Sequence, residues 1–172
     1  FVQNFDEAAF ERAVAMIVAA PRVLVYGIRQ FHSLATFLVY GLRMIRSDVM
    51  LLDANGLGIA EGLALTGPGD VLIAMSCAPY SVQVIEVARA AADMGLDVVA
   101  LTDRASSPLI DPSRVAILVA HESTFISNSM GAFTVAAECL INACAAARPE
   151  TARQALRRRD DMVGRLKIER SC

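Results

Sequence analysis

Two serines enclose a short polar loop in an otherwise apolar stretch of the chain. Ser76 ends the run "DVLIAMS", Ser81 begins a segment with helical periodicity, and only "CAPY" separates them. Backbone N–H groups at the start of a helix have no partner within it, and the helix dipole places about half a positive charge there. Serine hydroxyls beside such groups form a neutral cradle for an anion. The spacing therefore predicts an anion-binding loop.

Two further loops carry polar side chains after predicted strands. The segments "GIRQFHS" and "HESTFISNS" follow the first and the fifth apolar runs. Because the carboxyl ends of parallel strands meet at one edge of a sheet, we expect all three loops to converge. Their hydroxyls, amides and charges suit a phosphate monoester that carries a polyol. The candidate ligand-binding residues are Arg29, Ser33, Ser76, Tyr80, Ser81, Glu122 and Ser123, with Gln30, His32, His121, Thr124, Ser127, Asn128 and Ser129 beside them.

Some of these residues also have simpler explanations. Serine is a preferred N-cap and contributes roughly 1 kcal/mol without any ligand, so capping alone accounts for Ser33 or Ser81 taken singly. Glu122 fits either the base of an aldose–ketose isomerisation or a hydrogen-bond acceptor for sugar hydroxyls. Adjacent residues leave a strand on opposite sides, so His121 and Glu122 cannot easily serve one substrate atom. We favour the hydrogen-bonding role.

Established catalytic and cofactor motifs are absent from the sequence. It contains no Walker loop, no G-x-G-x-x-G fingerprint, no G-x-S-x-G elbow and no H-E-x-x-H motif. Two separated histidines and four scattered cysteines give no metal-ligand spacing. We therefore expect no cofactor and no metal, and the residues favour ligand binding over catalysis.

Apolar runs alternate with amphipathic segments, and the strands and helices that they predict have to position the three polar loops. The runs are continuous, which is typical of strands buried on both faces of a parallel sheet. The alternation predicts a doubly wound, flavodoxin-like three-layer α/β/α sandwich with a five-stranded parallel sheet. Ser33 and Ser81 are predicted N-caps, and Gly95 a left-handed C-cap. Predicted strands cover 22–28, 49–53, 70–76, 97–103 and 115–120, and the main predicted helices cover 6–20, 33–47, 81–94, 130–147 and 151–168.

Composition narrows the class of protein. A chain of 172 residues that is 55% hydrophobic and 20% charged builds one domain with a sizeable core. Its net charge of −2 argues against nucleic-acid binding by this segment. The apolar segment 131–147 is short for a bilayer span of ~20 residues, so we expect it to be buried in the core or at a subunit interface. With no signal peptide and no C-x-x-C pair visible, we expect a cytoplasmic protein.

The central segment resembles a known family. Residues 70–109, with the Ser…Pro-Tyr-Ser loop and the downstream Thr-Asp…Ser-Pro-Leu element, closely resemble the central block of sugar isomerase (SIS) domains. More narrowly, residues 6–147 resemble the C-terminal effector domain of RpiR-type bacterial transcriptional regulators. The resemblance implies a phosphosugar-binding fold that is usually dimeric or tetrameric.

The resemblance also implies roles for individual residues. Matched by position, Ser76 and Ser81 would bind the phosphate, and Ser33 would contact the phosphate or the sugar. The chain departs from the family at two places. Arg29 stands where many SIS domains have the second glycine of a G-x-G-x-S pattern, and Cys77-Ala78 replaces the residues more often found inside the second loop.

On this resemblance we expect a phosphosugar-binding effector domain of a bacterial transcriptional regulator that controls carbohydrate metabolism. Residues 1–172 would form a single SIS domain, with a helical lead-in at 1–21, a core at 22–148 and a C-terminal helix and tail at 149–172. DNA binding would belong to an N-terminal helix-turn-helix domain, presumed absent here because the sequence begins without Met.

The expected partners are a phosphosugar effector and further copies of the chain, which would meet through helical faces that include 131–147. DNA would be contacted only through the absent domain, and no membrane is involved. The alternative is a stand-alone phosphosugar (aldose–ketose) isomerase. Its acid–base groups would come from Glu61, Glu122, His32 and His121.

Overall fold

Helices and strands alternate along the part of the chain that the computed structural model describes, residues 5–56, 58–120, 125 and 127–168. The strands are β1 (Val23–Tyr26), β2 (Val49–Leu51), β3 (Val71–Met75), β4 (Asp97–Thr102) and β5 (Val115–Leu118). The helices are α1 (Glu7–Ala19), α2 (Gln30–Arg43), α3 (Ile59–Ala64), α4 (Val82–Asp93), α5 (Gly131–Ala147) and α6 (Pro149–Leu166).

The strands form one parallel sheet in the order β2-β1-β3-β4-β5. Val23 of β1 lies between Val49 of β2 and Val71 of β3, and the register continues from there. Every residue of β1 and β3 is buried, which explains why their sequences are unbroken apolar runs. The predicted five-stranded parallel sheet is confirmed.

Two helical layers cover the sheet. Helices α1, α2 and α5 pack on the face that Val25 enters, whereas α3 and α4 cover the face that Leu24 and Tyr26 enter. The alternation follows from the twofold period of a strand. Within the first layer, the rings of Phe31 and Phe133 meet edge to face with centroids 5.0 Å apart, which joins α2 to α5. The predicted three-layer sandwich is confirmed.

The chain order creates a crevice between β1 and β3. From β1 the chain moves to β2 on one side, and it later returns to β3 on the other side. The loops that follow β1 and β3 therefore diverge to opposite layers, and ligands bind in α/β sheets at such a switch point. Gly27 brings the first loop close to α2, because a Cβ there would lie 2.8 Å from the carbonyl oxygen of Phe31.

Helix α2 begins earlier than the capping pattern predicts. Its first residue is Gln30, and Arg29 occupies the N-cap position with φ 57° and ψ −128°. Ser33 lies inside the first turn, so its prediction as the N-cap is wrong. The physical reason is that the chain enters this helix through a left-handed residue, without a capping side chain. Ser81 does occupy the N-cap position of α4, and Gly95 has the predicted positive φ, at 85°.

Helix α5 is buried on one side only. Phe133 and Leu140 lie in the core, whereas Val135 and Cys139 are exposed on the opposite side. The core of this chain therefore buries one face of the helix, and burial of the open face in a subunit interface stays a prediction. None of the described helices is long and apolar enough to cross a membrane.

Candidate ligand-binding site

A cavity of about 450 Å³ opens at the switch point. It lies beyond the carboxyl ends of β1 and β3, where the first turns of α2 and α4 border it. All three polar loops contribute to its wall. The lining residues are Ile28, Arg29, Gln30, Phe31, Ser76, Cys77, Pro79, Ser81, Ser127 and Asn128.

The two serines of the β3–α4 loop are held close together. The backbone N–H of Ser81 donates to Oγ of Ser76 over 3.1 Å, and Ser76 is only 3% exposed. Because Ser76 Oγ accepts this bond, its own hydroxyl proton is directed elsewhere. In the described structure the Ser81 hydroxyl makes no capping hydrogen bond to the helix. Capping therefore does not explain Ser81, and both hydroxyls remain able to donate to an anion.

Buried hydroxyls at the end of β4 and in the segment that follows it form a brace for the β3–α4 loop. Thr102 Oγ1 donates to the backbone carbonyl of Ser76 over 2.8 Å and lies 2.7 Å from Ser107 Oγ. Ser107 Oγ in turn accepts from the N–H of Leu109 over 3.3 Å. Thr102, Ser107 and Leu109 are all buried, so these bonds are shielded from water. The Thr-Asp…Ser-Pro-Leu element that resembles the family thus positions the anion loop.

Tyr80 belongs to this brace and lies outside the cavity wall. Its hydroxyl donates to Asp103 Oδ1 over 2.8 Å, and the other carboxylate oxygen of Asp103 accepts from Arg104 over 2.7 Å. Burial raises the pKa of Asp103, but these two hydrogen bonds outweigh it and the net pKa is lowered. Burial and the bond to Asp103 raise the pKa of Tyr80. The Tyr80 hydroxyl is therefore bonded to Asp103 outside the cavity wall, and its contact with a ligand stays a prediction.

Arg29 provides the positive charge of the cavity and has an unusual backbone. Its φ of 57° with ψ of −128° is a conformation that favours glycine. The family pattern has glycine at this position, so the structure explains that preference. Arg29 keeps the conformation and adds an exposed guanidinium to the cavity wall. The N-terminal ends of α2 and α4 add their partial positive charges.

The third loop contacts both of the others. Ser127 Oγ donates to Gln30 Oε1 over 3.3 Å, and Asn128 Nδ2 donates to the carbonyl oxygen of Ala78 over 2.9 Å. The structure therefore brings the three loops together, as the strand pattern predicts. Gln30, Ser127 and Asn128 are among the polar residues that the sequence offered for this edge.

The seven residues predicted to bind the ligand are placed unequally. Arg29, Ser76 and Ser81 line the cavity, and Tyr80 turns toward Asp103. Ser33 is exposed on α2 and lines none of the cavities found in the described structure. The other two, Glu122 and Ser123, lie outside the described residues, together with His121 and Thr124.

Two other features invite a chemical explanation. Burial raises the pKa of Cys77, in the cavity wall, to about 11, so its thiol stays protonated and is a poor nucleophile.

A larger cavity of about 650 Å³ lies at the opposite edge of the sheet. Arg46 crosses it and bonds to Asp48 and to the carbonyl of Ala20, so it already closes the end of α1. No group of metal-ligating side chains occurs among the described residues.

The sheet order, the crevice and the serine loop define an α/β protein with a candidate ligand site at its switch point. The sequence profile of the SIS domain matches residues 16–145, which is most of the chain. The chain therefore belongs to the SIS domain family. A search of curated protein sequences finds no significant match.

Solved structures share this fold. The sugar isomerase domain of an RpiR transcription factor from Sphaerobacter thermophilus is 27% identical with a TM-score of 0.87, covering 93% of this chain and 89% of that one. NanR of Vibrio vulnificus, in complex with ManNAc-6P, is 22% identical with a TM-score of 0.82; the match covers 95% of this chain and 63% of NanR. Phosphoheptose isomerase GmhA from Neisseria gonorrhoeae is 18% identical with a TM-score of 0.65, covering 80% and 86%.

Proposed function

We propose that this chain is the phosphosugar-binding effector domain of a bacterial transcriptional regulator that controls carbohydrate metabolism. The observation that carries the proposal is the pair of serines at the start of α4, where the backbone N–H of Ser81 donates to Ser76 Oγ over 3.1 Å. The RpiR domain of Sphaerobacter thermophilus, at 27% identity, supports the regulatory role. The protein would act in the cytoplasm.

The phosphate would lie between the two helix termini. Hydroxyl protons of Ser76 and Ser81 would donate to its oxygens, and Arg29 would contribute a charge-assisted bond from the opposite wall. The first helical hydrogen bonds at this end come from Val84 and Ile85 to the Ser81 carbonyl, so the N–H groups that precede them face the loop. This donor-rich wall suits a dianion better than a neutral sugar.

The isomerase alternative has less support. It requires a carboxylate near the sugar C1–C2 bond, and the carboxylate of Glu61 lines neither cavity at this edge. None of the described residues that line the phosphate cavity is acidic. His32 and the carboxylate of Asp53 line the smaller adjoining cavity, and His121 and Glu122 lie outside the described residues. We therefore propose that the chain binds a phosphosugar without converting it, and a direct measurement of aldose–ketose conversion tests this.

An effector domain also has to transmit ligand binding to a domain that contacts DNA. We propose that the chain forms a homo-oligomer through α2 and α5, which pack side by side and both carry exposed apolar side chains. Those side chains are Phe37 and Tyr40 on α2 and Val135 on α5. We propose that a separate helix-turn-helix domain binds DNA. Residues 1–172 would then form one ligand-binding domain.

Thermal unfolding with a panel of phosphosugars tests the binding function. The panel contains ribose 5-phosphate, fructose 6-phosphate, glucosamine 6-phosphate and N-acetylmannosamine 6-phosphate, with inorganic phosphate and the free sugars as controls. A ligand at about 100 times its Kd stabilises by about 2.7 kcal/mol, or about 5–10 °C in a chain of this size. Absence of any shift would overturn the proposal. NMR of the same mixtures reveals aldose–ketose conversion, and turnover would establish the enzyme instead.

The variant Ser81→Ala tests the cradle itself. Loss of one hydrogen bond to a charged group costs about 1.5–3 kcal/mol, so we expect about 10- to 100-fold weaker phosphosugar binding. The melting temperature should be unchanged, because the hydroxyl makes no capping bond in the described structure. Ser47→Ala, at the opposite edge of the sheet, is the matched control. Unchanged affinity in Ser81→Ala would remove Ser81 from the site.

A further inference from the structure

A second cavity adjoins the phosphate cavity at the same edge of the sheet. Its volume is about 220 Å³, and it lies between the ends of β1 and β2. Ile28 and Arg29 line both cavities, so the first loop forms a shared wall. Its polar lining residues are Tyr26, Arg29, His32, Asp53, Asn55 and Gln83.

Tyr26 contributes a buried hydroxyl that lacks a partner among the described residues. The side chain is 1% exposed, belongs to the apolar cluster beneath α4 and lines the second cavity. Its Oη makes no hydrogen bond in the described part of the chain. A buried hydroxyl without a partner is costly, and such groups in folded proteins almost always have one. The position therefore calls for an acceptor beyond the described residues, and the cavity that Tyr26 lines gives a ligand access to it.

The surroundings keep Tyr26 in its donor form. Burial and the nearby Asp53 charge both raise its pKa, so the phenol is neutral over the whole physiological range. A phosphate would meet Asp53 in this cavity with unfavourable charge. A neutral oxygen, such as a sugar hydroxyl or a ring oxygen, suits the phenolic O–H.

The other polar groups complete a set for hydroxyl recognition. Asp53 Oδ1 accepts the N–H of Asn55 over 2.9 Å, which fixes the carboxylate at the cavity wall. Carboxylates accept from sugar hydroxyls, whereas the amides of Asn55 and Gln83 both donate and accept. The two cavities share Arg29 and both contain amides, but serines line only the first, and a carboxylate and a phenol line only the second.

We propose that the second cavity receives the hydroxyl-bearing end of the phosphosugar, with the Tyr26 hydroxyl donating to a sugar oxygen and Asp53 accepting from a sugar hydroxyl. This inference rests on the proposed function, because it requires the phosphate in the neighbouring cavity. The ligand is then a polyol phosphate long enough to reach past Arg29. Phosphates without distal hydroxyls bind through the first cavity alone.

Calorimetric titration of Tyr26→Phe tests the proposal. The probes are inorganic phosphate, glycerol 3-phosphate, fructose 6-phosphate, glucosamine 6-phosphate and N-acetylmannosamine 6-phosphate. For the hexose phosphates that the unmodified chain binds, we expect about tenfold weaker binding. Affinity for inorganic phosphate and glycerol 3-phosphate should be unchanged. Ser47→Ala, at an exposed position near the opposite edge of the sheet, is the control and should bind all probes like the unmodified chain.

Further measurements separate the possible failures. The unliganded Tyr26→Phe protein should melt at the same temperature or higher, because it loses an unpaired hydroxyl. Asp53→Asn should also weaken hexose phosphate binding selectively. Unchanged hexose phosphate affinity in Tyr26→Phe, while Ser81→Ala weakens it, would overturn this inference and leave the proposed function intact. Lower thermal stability with unchanged affinity would assign the hydroxyl to a structural water. Absence of any phosphosugar binding by the unmodified chain would overturn both proposals.

Discussion

Replacing Arg29 by glycine should change stability and ligand binding in opposite directions. Arg29 has φ 57° and ψ −128°, and a residue with a side chain in such a conformation costs about 1–3 kcal/mol. Glycine relieves this strain, but its greater freedom in the unfolded chain lowers the free energy of unfolding by about 0.5–1 kcal/mol. The net gain is about 1 kcal/mol, which raises the melting temperature by about 2–4 °C.

The same substitution removes the cation from the phosphate cavity. A hydrogen bond between charged groups is worth about 1.5–3 kcal/mol when shielded, but Arg29 is exposed, so about 1 kcal/mol is the appropriate figure. Phosphosugar affinity should therefore fall about fivefold. Differential scanning fluorimetry and calorimetric titration measure the two effects on the same protein.

Two variants separate strain from charge. Arg29→Ala keeps the strained backbone and removes the cation, so affinity should fall without a gain in melting temperature. Arg29→Lys keeps both the strain and a positive charge, so stability should stay the same and binding should weaken least. If Arg29→Gly and Arg29→Ala melted at the same temperature, backbone strain at this position would be refuted. If neither variant lost affinity, Arg29 would not contact the phosphate.

Three further predictions concern the brace and the cysteines. Thr102→Val leaves the Ser76 carbonyl without its buried donor, and urea unfolding should show a loss of about 1–3 kcal/mol; full stability would contradict the brace. The pKa of Asp103 is lowered in the folded state, so its contribution is present above the unfolded pKa near 3.9 and is lost as pH falls below that value. Tyr80→Phe should reduce the stability that is lost as pH falls below about 4, and the same pH dependence of the urea midpoint in the variant and the unmodified chain would speak against it. Mass spectrometry after thiol labelling at pH 8 should find exposed Cys139 modified before buried Cys77 and Cys144; labelling of Cys77 before Cys139 would disprove its protected state.

Much of the fold could be predicted from local sequence pattern. Strands such as β1 and β3 are buried on both faces, so their sequences are continuous apolar runs that indicate a parallel sheet. A parallel sheet with alternating helices then places every loop that follows a strand at one edge. That rule predicts from the sequence alone that Ser76, Ser81 and Asn128 lie at the same edge of the sheet.

The remaining features depend on contacts between residues far apart in sequence. Tyr80 was predicted to bind ligand because its loop borders the site, but its hydroxyl finds Asp103 after the next strand. Ser33 was predicted as an N-cap because serine caps helices, whereas the backbone of Arg29 starts α2. Tyr26, whose hydroxyl has no partner among the described residues, lies in an apolar run, where the sequence does not distinguish it from any other strand residue.

The geometry of α2 offers a physical connection between the candidate site and the proposed oligomer surface. Phe31 lines the phosphate cavity, and its ring packs against Phe133 of α5 at 5.0 Å. The opposite side of α5 carries the exposed Val135. A ligand shifts an assembly only if it binds two arrangements with different affinity. Because the core is close-packed, displacement of Phe31 by a bound ligand would have to be accommodated by α5. Phe31 and Phe133 therefore connect the candidate cavity to the helix that carries the proposed oligomer surface.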